Sequence, residues 1–107
     1  MPVMDIEERR ATLRGEALRI GIPRDMSEGL IEYILLGRPV GHFLTAVLEN
    51  NLREACNRAD ERNQKLIYQY VFFLYNYAPV GAWGSEENVE TWKKHRGFEF
   101  EEEANHD

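Results

Sequence analysis

Apolar and polar residues alternate along this chain with helical rather than extended period, and the pattern divides into five segments. Over Ile6–Ile20, Leu13, Ala17, Leu18 and Ile20 form a modest apolar stripe. Asp5 and Glu8 precede it at capping-box spacing, and Gly21 with Pro23 closes it. Asp25 and Glu28 repeat that spacing ahead of Leu30, Ile31, Ile34 and Leu35, which predicts a second short helix stopped by Gly37 and Pro39. A third segment starts near Gly41. Leu44, Val47, Leu48, Leu52, Ala55, Cys56 and Ala59 keep one face apolar, and Glu49, Asn50, Arg53, Glu54 and Asn57 fill much of the other.

Residues 57–64 contain neither Gly nor Pro, so the boundary after the third segment must come from another signal. A single helix over 42–77 would be about 54 Å long at its 1.5 Å rise. A domain of this length has a radius of gyration of only about 13 Å. The break is therefore placed at Asp60, a suitable N-cap residue. Residues 68–77 hold six aromatics, a composition that also suits strands, but the polar start at 60–65 and the absence of a hairpin turn favour a helix at about 64–77. One side of it, with Tyr70, Phe73, Leu74 and Tyr77, fits a core. The other leaves Tyr68, Phe72 and Tyr75 needing cover from other helices or a second chain. Ser85 caps a last helix over Glu86–Arg96, with Val89 and Trp92 on its buried edge and Gly97 after its end. The five segments predict an all-α fold, a compact bundle of about five short helices around the central aromatic helix.

Composition adds that one core is the limit for 107 residues with 43% apolar side chains. The net charge of −6 lies mostly at the end: residues 98–107 contribute −5 and leave −1 to residues 1–97. This predicts a near-neutral domain over 1–97 followed by an acidic disordered tail at 98–107. No nucleic-acid partner is expected, because the basic footprint is missing. Nor is a membrane, since no long charge-free apolar run exists. The charged residues Asp5, Glu7, Glu8, Arg9 and Arg10 stand where a signal peptide would be apolar, so a cytoplasmic location is expected.

Catalytic chemistry is hard to assemble from this sequence. Cys56 is the sole cysteine, and its neighbours Leu52, Ala55 and Ala59 suggest a small core residue. His42 lies fourteen residues from it, about 21 Å along a helix axis, too far for a thiolate–imidazole pair. His42, His95 and His106 show no metal-binding spacing, and no phosphate-binding or nucleophile motif occurs. The expectation is therefore a protein that is not an enzyme, with no catalytic residue, metal or cofactor. The phrases Arg38–Phe43 and Ala78–Trp83 echo each other forty residues apart, as one helix-stop, turn and aromatic-anchor device used twice.

The stretches GRPVGHFLTAVLENNLREACNRADERN (37–63) and FLYNYAPVGAWGSEENVETWKKH (73–95) resemble a group of short uncharacterised proteins of tailed bacteriophages and prophages. The resemblance brings no activity and no site residue. It implies an origin in a phage genome and action in the cytoplasm of a bacterial host. The expectation that follows is an interaction protein that binds, and inhibits or redirects, a host protein, alone or as a homo-oligomer. Arg38, His42, Asn76, Tyr77 and Trp83 are the candidate interaction residues, because Arg, Tyr and Trp at turns are enriched in binding hot spots. The alternative is a protein that sequesters a nucleotide signal between aromatics and Arg38 or Arg62.

Overall fold

A computed structural model describes residues 5–98, in which all the regular secondary structure is helical, with no strand. The first helix, α1 (Ile6–Ile20), has the predicted bounds. The Asp5 carboxylate accepts the Glu8 amide at 2.8 Å. Gly21 ends the helix in the left-handed conformation, its amide donating to the Ala17 and Leu18 carbonyls. Leu13 and Ala17 are buried, but Leu18 turns outward and is 79% exposed. Helix α2 (Arg24–Leu36) starts earlier than its capping signal suggests, directly after Pro23, whose φ of −57° is already helical. Asp25 therefore falls inside the first turn and caps nothing. It pairs with Arg62 instead, at 2.9 Å.

The predicted third helix is two helices, α3 (His42–Leu48) and α4 (Leu52–Arg58). Asn50 adopts a left-handed φ of 61°, and the Asn51 side chain caps α4 by accepting the Glu54 amide at 3.1 Å. Asn is the side chain best able to visit that region without being glycine, and the turn resets the helical phase. Ala55 and Ala59 stay buried, whereas Leu52 is 65% exposed and Cys56 lies on the surface rather than in the core. The break at Asp60 is as predicted, its carboxylate accepting the Asn63 amide at 2.7 Å. A single turn, α5 (Glu61–Gln64), precedes a further break at Lys65–Leu66, so the aromatic helix α6 spans Ile67–Tyr77. A 3₁₀ turn (Val80–Ala82) and α7 (Glu86–Lys94) follow, giving seven α-helices among the described residues.

The most enclosed element is α2 rather than the aromatic helix: Leu30, Ile31, Tyr33, Ile34 and Leu35 have no exposed surface. Its C-terminal end is locked by α7. The Trp92 indole donates to the Tyr33 and Ile34 carbonyls at 2.9 and 3.1 Å, and the Tyr33 hydroxyl donates to the Ala82 carbonyl at 2.6 Å. Ser85 caps α7 as predicted, but Arg96 and Gly97 are both left-handed, so the helix stops at Lys94. Backbones approach here more closely than side chains permit. A Cβ on Gly37 would lie 2.8 Å from the Trp92 carbonyl oxygen, and one on Gly97 would lie 2.7 Å from that of Leu35.

Helix α1 lies along α2, where Arg10 meets Glu32 at 2.7 Å and Arg14 meets Glu28 at 2.8 Å. Phe98, grouped with the tail on sequence grounds, packs edge-on against Trp92 at 5.5 Å with the Arg9 guanidinium over its ring. The remainder of the predicted tail, 99–107, lies outside the described residues. The glycines test this account directly. Gly97→Ala is expected to destabilise the fold by about 2–4 kcal/mol, from its left-handed backbone and the overpacking together. Gly15→Ala, on an exposed helical position with open space around it, is expected to stabilise by about 0.5–1 kcal/mol. Thermal unfolding followed by circular dichroism reads both, in opposite directions.

Candidate functional site

Helix α6 is continuous because nothing in IYQYVFFLYNY breaks it, and it ends where Pro79 forces Ala78 into an extended conformation. Its inner face is the expected one. Tyr70, Phe73 and Leu74 are fully buried; Tyr70 meets Phe43 edge-on at 5.4 Å, and Phe73 meets Tyr77 at 5.6 Å. The Tyr70 hydroxyl donates to Oδ1 of buried Asn63 at 2.7 Å, and burial pushes the phenol up to about 12.

The outer face is apolar as well. Tyr68 is 73% exposed, Val71 40%, Phe72 38% and Tyr75 79%. These positions follow the i, i+3, i+4, i+7 spacing that normally marks a buried stripe, here on the opposite side of the helix from the core. Tyr68 and Phe72 are already stacked, with ring centroids 5.9 Å apart. The face lies within a twenty-residue stretch, Leu66–Ser85, that contains no Asp, Glu, Lys or Arg. The four side chains expose on the order of 450 Å², with aromatic rings supplying most of it. Patches of roughly 300–600 Å² on single chains are often functional.

The five candidate interaction residues are not gathered into one site. Asn76 and Tyr77 share a cleft of about 230 Å³ with Leu13, Ile34 and Phe98. Arg38, His42 and Trp83 lie outside it. Arg38 and His42 are exposed on the connection from α2 into α3. Trp83 is half-buried against the core; its carbonyl accepts the Asn88 side-chain amide at 2.9 Å, and the next amide, of Gly84, donates to the Leu48 carbonyl at 2.7 Å. The Asn76 side chain returns to its own helix, donating to the Phe72 carbonyl at 2.8 Å. Tyr77 spans to α1, where its hydroxyl donates to Glu16 at 2.7 Å and accepts from Arg19 at 3.1 Å. That bond from Tyr77, then the one from Arg19, holds the Glu16 carboxyl below its ordinary range.

For Tyr77 and Trp83 the contacts present are structural. Val71 is not singled out by the sequence pattern and joins Tyr68, Phe72 and Tyr75 into a continuous stripe. Its i+3 spacing from Tyr68 is the signal that could have found it.

Arg62, one of the two cations considered for a nucleotide, holds Asp25 through both of its terminal nitrogens, at 3.2 and 2.9 Å. Among the described residues no group of three or more His, Cys, Asp or Glu side chains could hold a metal ion, and no helix is long and apolar enough to cross a membrane. Compared with protein families, curated proteins and solved structures, the chain matches none of them.

The Tyr77 contact makes a pH-dependent prediction. A carboxyl with a depressed folded pKa contributes stability above its unfolded pKa and loses it as pH falls through the folded value. Tyr77→Phe removes the largest cause of that depression, so the Glu16 titration midpoint is expected to move up towards its ordinary value, which carbon-detected NMR of the side-chain carboxyl reads.

Proposed function

We propose that this chain is a non-enzymatic interaction protein that acts by occupying a protein surface, with the outer face of α6 as its interface. The observation that carries this reading is the Tyr68–Val71–Phe72–Tyr75 stripe: aromatic, uncharged and set on a rigid helix. Interface cores are enriched in aromatic residues and depleted of charge. A large apolar side chain left in water forgoes about 1.5–3 kcal/mol of burial. Four on one face amount to a standing affinity for another apolar surface.

The resemblance to phage proteins supports a host protein as the target, with the bacterial cytoplasm as the place of action. In this reading the exposed residues Arg38 and His42, together with Asn76 and the Trp83 turn, are further contact positions for that target. The paired state of Arg62 counts against sequestration of a nucleotide.

The test compares the wild-type chain with Tyr68→Glu/Tyr75→Glu in affinity capture from host lysate. Both substitutions sit on exposed positions, so the unfolding free energy is expected to stay within about 0.5 kcal/mol of wild type per substitution. Proteins retained by the wild type are expected to be lost by the variant. Equal recovery on both would overturn the assignment of the interface to α6.

A further inference from the structure

We draw no further inference here: the strongest candidate, the cleft of about 230 Å³ between α1, α2 and α6 that Phe98 borders, is lined mainly by apolar side chains, and nothing in the structure shows what would occupy it.

Discussion

The end of α2 is where this fold is made or lost. A helix terminus carries carbonyls that the helix itself does not fully satisfy; at this one the Gly37 amide donates to the Tyr33 carbonyl at 2.9 Å, and a further donor comes from elsewhere in the chain. Trp92 supplies it with one indole N–H shared between two carbonyls, which fixes α7 across the end of α2. The geometry then leaves no room for side chains at Gly37 and Gly97. Tyr33, on the same turn, reaches the Ala82 carbonyl and ties down the segment that leads into α7. No buried side-chain nitrogen or oxygen is left without a partner among the described residues.

Once α2 is enclosed, the sidedness of α6 follows. Its inner face covers part of the core, and its buried hydroxyl, that of Tyr70, is satisfied by Asn63. Among the described residues the outer face stays exposed at Tyr68, Val71, Phe72 and Tyr75, while α1 reaches α6 at the Tyr77 end and α3 reaches it through Phe43 and Tyr70. Many helices that are apolar all round are buried all round. This one is half-buried, and its outer half keeps Tyr68, Val71, Phe72 and Tyr75 exposed.

Much of the helical plan was legible because its signals are local. Asp5, Asp60 and Ser85 each cap the helix that follows, and Gly21 ends the one before it, through contacts within a few residues. Other features depend on alternatives of nearly equal local energy. Asn50 reads as one more polar position on a helix surface, yet its tolerance for the left-handed region lets the chain turn there, and that reversed the expected burial of Leu52 and Cys56. Asp25 looked like a cap until Pro23 began the helix ahead of it. At the site, the apolar character of α6 could be read, and so could the three aromatics left over. The role of Tyr77 could not, since its partners are some sixty residues away and depend on how α1 lies.

The way α1 is fastened separates it from the rest. It contributes two buried side chains, Leu13 and Ala17, and it is also tied to α2 by ion pairs, the part-buried one of Arg10 with Glu32 and the more exposed one of Arg14 with Glu28. Attractions of that kind weaken as dissolved ions screen them, whereas the apolar seal around α2 does not. The hold of α1 on α2 thus weakens with ionic strength, most at the exposed Arg14 pair. In a salty medium the protein keeps its centre and loosens its grip on its own beginning.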